Sequence, residues 1–392
     1  MLPLKGITVV ALEQAVAAPF VSRHLADLGA RVVKIERPEV GDFARAYDTT
    51  VRGMASHFVW VNRAKESLTL DVKQSAAKEV LHRLLDKADV FIQNLAPGAC
   101  DRLGLGTAEL RERYPRLIIC NLSGYGSTGP YRDRRAYDML VQSEAGLVAL
   151  TGTEETPSKV GISISDIAAG MYAYSGILTA LLVRKETGKG TAIEVSLLES
   201  IGEWMGYAAY YTAYGGTAPP RAGASHAAIA PYGPFMSGDS KEIIMAVQNE
   251  REWSRFCDRV LCRPELKNDP RFISNPRRVE NRPAVDGIVS AELQKLTTEQ
   301  IIARLEDAQI AYARLNSLQE FVDHPQLAAR GRWRDVDSPV GPLRALIPPV
   351  TMEGVEPVMG AIPALGEHTD AILQELGFDR DTIATWRKAK II

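Results

Sequence analysis

An α/β fold, with a mainly parallel sheet in a large domain and a smaller α/β domain beside it, is predicted by three features of this sequence. Short runs rich in Val and Ile alternate with helical stretches through the first 200 or so residues. The chain has 392 residues, 46% of them apolar, which exceeds the usual size of one domain and suffices for a large core. Between Gly215 and Ala230 the periodicity gives way to Gly, Ala and Pro, marking a crossing between lobes.

The elements follow in order. Residues 7–12 predict a strand, 19–28 a helix ended by Gly29, and 31–36, containing Val-Val-Lys-Ile, a second strand. A further cycle comprises strand 67–70, helix 74–87, strand 90–93, a short helix and strand 117–121. This alternation predicts a parallel sheet covered on both faces, whose ligand lies beyond the carboxyl ends of the strands. Arg37, Asn94 and the loop 124–130 stand there. Residues 167–185 are apolar or small almost all round, predicting a buried helix stopped by Thr187-Gly188-Lys189-Gly190. Strand 192–195 and a helix from Leu197 follow. The expected division is a large α/β domain over 1–214, a small domain with its linkers over 215–325, and a return to the first over 326–392. The small domain carries a strand at 242–247 among charged amphipathic helices. The returning segment carries the Pro-rich tract 346–365 and a helix at 369–376.

Composition narrows the function. Forty-six basic against 48 acidic residues leave a net charge of −2, which gives no footprint for nucleic acid or anionic membrane. No basic-flanked apolar leader opens the sequence and no uninterrupted run reaches transmembrane length, so a cytoplasmic protein is expected. The four cysteines form no disulfide framework and read as reduced. The six histidines lack metal-ligand spacing, so no metal is expected.

Several motifs call for chemistry. Gly124, Gly126 and Gly129 spell G-x-G-x-x-G after a strand, but the following Pro130-Tyr131-Arg132-Asp133-Arg134-Arg135 has no apolar helical period, so a dinucleotide site is not expected. The loop instead offers backbone that can approach a ligand. Gly188-Lys189-Gly190-Thr191 lacks the earlier glycine of a phosphate loop and follows a helix. Asp166 stands between an apolar segment and the start of the 167–185 helix. Its plain reading is an N-cap; the same position also suits a catalytic carboxylate, kept ionised by amide donors and helix dipole while apolar walls strip it of water. Position alone supports either. Lys34, Arg37, Arg102 and Arg135 lie where phosphates could bind, and His226 lies in a small-residue tract that could approach a ligand.

With these residues in view, the chain resembles the class III CoA-transferase (CaiB/BaiF) family. That group includes formyl-CoA, carnitine and succinyl-CoA-dependent transferases and the related methylacyl-CoA racemases. The likeness runs nearly end to end. It is carried by Ala18-Pro19-Phe20, Val33-Lys-Ile-Glu-Arg-Pro38, Asn62 to Lys65 with Ser67-Leu-Thr-Leu-Asp71, and Ala88 to Asn94. Pro97-Gly98, Ser123-Gly-Tyr-Gly126, Ala136-Tyr-Asp138, Asp166-Ile-Ala-Ala-Gly170 and Ile229-Ala-Pro-Tyr-Gly233 continue the series in the same order.

The resemblance implies a Rossmann-like large domain, an interlocked homodimer, no permanently bound cofactor, and coenzyme A or acyl-CoA as substrate. It makes Asp166 the nucleophile and places Val16, Ala17, Arg37, Leu70, Asn94, Leu95, Arg102, Arg135 and Tyr137 around CoA. Gly124, Gly126 and His226 would line the substrate, with glycine-loop amides as oxyanion donors. Val16 replaces a polar residue of formyl-CoA transferase, which weighs against oxalate and formate. Short dicarboxylates are implied instead: succinyl-CoA as donor to itaconate, mesaconate, citramalate, malate or glutarate. Arg45, Arg52 or Arg221 would hold the second carboxylate. A 2-methylacyl-CoA racemase using Asp166 as acid/base is the alternative, disfavoured because Tyr137 stands where those relatives carry His; a non-catalytic CoA-binding protein is disfavoured because Asp166 is retained.

Overall fold

The computed structural model describes residues 1–392, which divide into two compact units. The first contains Met1–Ala145, Val160–Gly206 and Gln326–Ile392; the second contains Gly146–Lys159 and Tyr207–Pro325.

The first unit is built on six parallel strands: β1 (Thr8–Leu12), β2 (Arg31–Glu36), β3 (Glu66–Thr69), β4 (Val90–Gln93), β5 (Ile118–Ser123) and β6 (Ala192–Ser196). Their spatial order is β3-β2-β1-β4-β5-β6, the doubly wound order whose direction reverses between β1 and β4. The connecting helices are α1 (Ala17–Asp27), α2 (Ser56–Val61), α3 (Ser75–Leu85), α4 (Ala99–Arg102), α5 (Thr107–Arg113) and α6 (Asp138–Glu144). The first unit also holds α8 (Ile164–Thr187) and α9 (Leu197–Trp204), while α7 (Leu147–Leu150) and, from Tyr207, α10 (Gly206–Gly215) belong to the second.

The strands form where β-branched residues cluster. Val9, Val10, Val32, Val33, Val90, Phe91 and Ile92 are at most 1% exposed, as both faces of a parallel sheet require. On one face Val10, Val33, Leu68 and Phe91 pack with Val80, Leu81 and Leu84 of α3 and with Ile372 and Leu373 of the returning C-terminal segment. That segment is tied to the edge strand: Thr69 N donates to Thr369 Oγ1 at 3.0 Å and Asp71 N to Ile391 O at 2.7 Å. It also carries a hairpin, Trp333–Val336 against Leu343–Leu346, and a last helix at Arg380–Lys388, neither of which was expected from sequence.

Two expectations about α8 change. It begins at Ile164, earlier than 167, and it is not buried all round. Ala169, Gly170, Ala173, Ile177, Ala180 and Arg184 form a buried stripe, while Met171, Tyr172, Leu182 and Val183 are exposed. The helix packs on α1, α6 and α9 and over β5 and β6. Gly170 permits the α1 contact, because a Cβ there would lie 2.9 Å from Phe20 Cδ1 and 3.1 Å from Ala17 O. Contrary to the reading of the sequence, α8 is long and apolar enough, by length and composition, to cross a membrane. Core helices of folded domains pass the same test, and its small-residue stripe belongs to the packing of this unit.

The second unit holds a three-stranded antiparallel sheet, Tyr232–Met236, Glu242–Ala246 and Ala311–Arg314, with the central strand alone expected. Gly233 and Pro234 masked the first strand, and the last is short and largely exposed. Phe235, Ile243, Met245, Trp253, Phe256, Val289 and Leu305 form its core.

Candidate active site

The point where strand order reverses is where the loops after β1 and β4 part, and here the backbone is held by side chains. Asn94 accepts from Gln14 N at 2.9 Å and donates to Gln14 O at 2.8 Å. Ala15, at φ +60°, donates to Asp42 Oδ1 at 3.0 Å. Asp42 Oδ2 in turn takes the Lys34 ammonium at 2.8 Å. Lys34 is therefore no phosphate ligand. It is fully buried among Asp42, Glu13 and the ring of Phe58. Glu13 also meets Lys65 at 2.7 Å and Ser22 at 2.6 Å. Burial pushes the Glu13 carboxyl up, but Lys65 and Lys34 more than reverse this and hold it below the usual carboxylate range.

This fixed loop opens one side of a cleft of about 1130 Å³. Val16, Ala17, Asn94, Leu95, Gly124, Gly126, Arg135, Tyr137 and Asp166, all singled out in the sequence, line it together. Arg37 and Leu70 line a separate small cavity, which shares Gln14 and Leu95 with the cleft. Arg102 stands at the rim, with its guanidinium folded towards Gly98, which does line the cleft.

Other residues are engaged elsewhere. Arg45 cannot meet a substrate carboxylate, because it grips Glu36 at 2.8 Å through Nε and Nη2 and lies over the Phe58 ring. Burial raises the Glu36 carboxyl, yet Arg45 and Lys34 bring it down to about 2. Arg52 donates to Val340 and Pro342 carbonyls. In the second unit, Arg221 donates to the carbonyls of Ala149, Thr153 and Glu154. His226, also there, stacks on Tyr232 and accepts from Ala228 N.

The glycine loop is shaped by close approach. A Cβ on Gly124 would fall 2.1 Å from the Ala136 Cβ. Two of its amides are not available as oxyanion donors: Gly126 N donates to Ser123 Oγ, and Ser127 N to Glu194.

Asp166 occupies the first turn of α8 as its third residue, and Ser163 stands at the cap position without a side-chain cap bond. Asp166 is thus not the N-cap. The amides of that turn go to Asp138 Oδ1, from Ser165 N at 2.8 Å and Asp166 N at 3.4 Å. The expectation of an ionised, amide-stabilised carboxylate also changes: burial, and then Asp138, push Asp166 up to about 7. Tyr47, Phe43 and His57 also line the cleft and were not singled out in the sequence. Tyr47 meets His57 edge-on at 5.4 Å, and burial with Asp42, Asp166 and Tyr137 pushes its phenol up to about 12. They come from a turn and a short helix between β2 and β3, where only the aromatic residues after Gly41-Asp42 hinted at a binding wall.

Comparison with known proteins identifies the family. Residues 4–369 match CoA-transferase family III. Succinyl-CoA:glutarate CoA-transferase of Mus musculus is 32% identical over 392 residues, covering 98% of this chain and 88% of that protein. Acetyl-CoA:oxalate CoA-transferase of Acetobacter aceti is 36% identical over 330 residues, covering 84% of each. The crystal structure of a CAIB/BAIF family protein from Brucella suis superposes with a TM-score of 0.83 at 33% identity, over 95% of this chain and 99% of that one. Sequence, sheet order and end-to-end similarity together make this chain a member of CoA-transferase family III, an enzyme acting on CoA thioesters.

Proposed function

We propose that the chain transfers CoA from a short acyl-CoA of the succinyl-CoA class to a carboxylate acceptor through covalent intermediates on Asp166. The observation that carries this reading is a desolvated carboxylate on the wall of a cleft large enough for an acyl-CoA, at the switch point of the sheet. A carboxylate stripped of water is a better nucleophile than a solvated one.

One Asp166 oxygen attacks the thioester carbonyl, and the C–S bond breaks to give a mixed anhydride and CoA thiolate. The thiolate attacks the aspartyl carbonyl, releasing the donor acid and leaving an aspartyl-CoA thioester. The acceptor carboxylate attacks that thioester, the thiolate leaves again, and its return to the new acyl carbon frees Asp166. Arg135 at the cleft and Arg37 beside it are suited to the CoA phosphates, keeping the thiolate close between steps. The relatives named for glutarate and citramalate favour a dicarboxylate acceptor, and Val16 disfavours oxalate despite the Acetobacter relative.

The active form is proposed to contain two copies of the chain. The exposed Met171, Tyr172, Leu182 and Val183 of α8, and Tyr207, Tyr210, Tyr211 and Tyr214 of α10, support this, since such apolar and aromatic surface is normally covered. Light scattering at micromolar concentration tests it. The chemistry is tested by intact mass after incubation with succinyl-CoA and trapping with hydroxylamine or borohydride. A modification mapped to Asp166 and absent from Asp166→Ala supports the route. Loss of optical purity of a chiral 2-methylacyl-CoA without any adduct would replace it with racemisation.

A further inference from the structure

The segment that carries the nucleophile is secured by one neighbouring helix. Asp138 is the first residue of α6 and Gln142 lies one turn later. Asp138 Oδ1 takes the first-turn amides of α8, and its Oδ2 accepts from Gln142 Nε2 at 2.7 Å. Gln142 is fully buried, and its Oε1 accepts from Val160 N at 2.9 Å. Residues 160 and 165–166, the two ends of the approach to α8, are thus pinned to the same face of α6. Ser163 supplies no cap of its own, Ser165 Oγ is buried without a partner, and Ile164 N turns back to Ile162 O at 2.8 Å, so the Ser165 and Asp166 amides are left to Asp138.

We propose that Asp138 is a positioning residue for the nucleophile: its carboxylate caps α8 in trans, so that Asp166 is held still while receiving no hydrogen bond from its own turn. This rests on reading Asp166 as the nucleophile. A carboxylate at the third helical position ordinarily turns back to the amides of the helix start and is stabilised as the anion. Here those amides are taken by a second carboxylate. Asp166 is left facing the cleft, where a reacting carbonyl can reach it, and the neighbouring negative charge opposes its ionisation.

Asp138 at the start of α6 and Tyr47 from the turn after β2 interact electrostatically with Asp166, and Tyr137 just before α6, His57 of α2, Arg134, Arg135 and Glu194 line the same cleft. The start of α1 contributes Val16 and Ala17, and α9 contributes Leu197. Asp138 is the one acidic group near enough to oppose the Asp166 anion.

The test is the pH dependence of the rate at which Asp166 becomes acylated by succinyl-CoA, in wild type, D138N, D138A and Q142L. D138N keeps an acceptor oxygen for the Ser165 and Asp166 amides but removes the charge, along with the bond that Oδ2 accepts from Gln142. It is expected to move the acid limb of the profile down by about one pH unit. D138A removes cap and charge together, and is expected to slow acylation at pH 8 by roughly 10- to 100-fold, the effect of a misplaced reacting group. Q142L keeps the charge but releases Val160, and is expected to slow acylation with the acid limb unmoved. An acid limb unchanged in D138N overturns the proposal. If D138N does not fold, Q142L decides: a wild-type rate in that variant overturns it. Wild-type protein that forms no adduct on Asp166 would instead sink the nucleophile reading itself, a separate outcome.

Discussion

Asn94 satisfies both backbone groups of Gln14, accepting from its N–H at 2.9 Å and donating to its C=O at 2.8 Å, and so joins the two loops that diverge at the switch point. A residue the family resemblance places beside CoA thereby acts on the wall that CoA would touch. Asn94→Ala leaves both groups unpaired in a part-buried site. It is expected to cost about 1–3 kcal/mol of stability and to weaken CoA binding roughly tenfold as the loop loosens. Denaturant unfolding and calorimetric titration with CoA measure the two effects.

Asp166 gives a pH dependence of defined sign. Its folded-state value is about 7 against 3.8 for an ordinary aspartate. Between these values the folded chain keeps a proton that the unfolded chain has lost, so stability falls as pH rises through this window. Above pH 7 the ionised group costs up to about 4 kcal/mol. Asp166→Asn should therefore stabilise the fold at pH 8 and change it little near pH 4. Urea unfolding at both pH values checks this, and an equal gain at both would contradict it.

The same titration controls acylation, because only the ionised carboxylate attacks. Single-turnover rates with succinyl-CoA should fall about tenfold per pH unit below 7. A flat profile down to pH 5 would mean that the carboxylate ionises in the ordinary range.

Gly124→Ala is expected to do more damage than most Gly→Ala changes, since its Cβ would meet the Ala136 Cβ at 2.1 Å. Displacement of either loop reshapes the cleft. A destabilisation of about 1–3 kcal/mol, typical of overpacking, should accompany weaker CoA binding, measured by the same titration.

Lys65→Met removes one of two cations from buried Glu13 and breaks its contacts with Glu13 and Asn62. Breaking a buried ion pair from one side costs roughly 3–5 kcal/mol, and a thermal melt should show it. A variant as stable as wild type would mean that water replaces the ammonium.

The large domain was legible because its strands are runs of Val and Ile bounded by glycine and helix-forming stretches, so β2 and β4 fall at the expected residues. The site was legible only so far as strand ends announce it. Asp166 could be placed at a helix start, but its cap comes from Asp138, 28 residues away, which no local pattern signals. Arg45 reads as a free arginine, yet the turn after β2 folds it back onto Glu36. Tyr47 and His57 sit in the long connection between β2 and β3, whose start is held by the buried Lys34–Asp42 pair and not by a periodicity.

The tie between Thr69 and Thr369 also governs the order of events during synthesis. Edge strand β3 cannot complete its hydrogen bonds, nor its apolar face gain Ile372 and Leu373, until some 300 further residues have been made. At typical elongation rates of about 5–20 residues per second this interval is roughly 15–60 s. For that time the nascent large unit carries a sheet face covered by α3 but not by the C-terminal segment, and chaperone capture should be strongest on ribosome-bound chains arrested before residue 369.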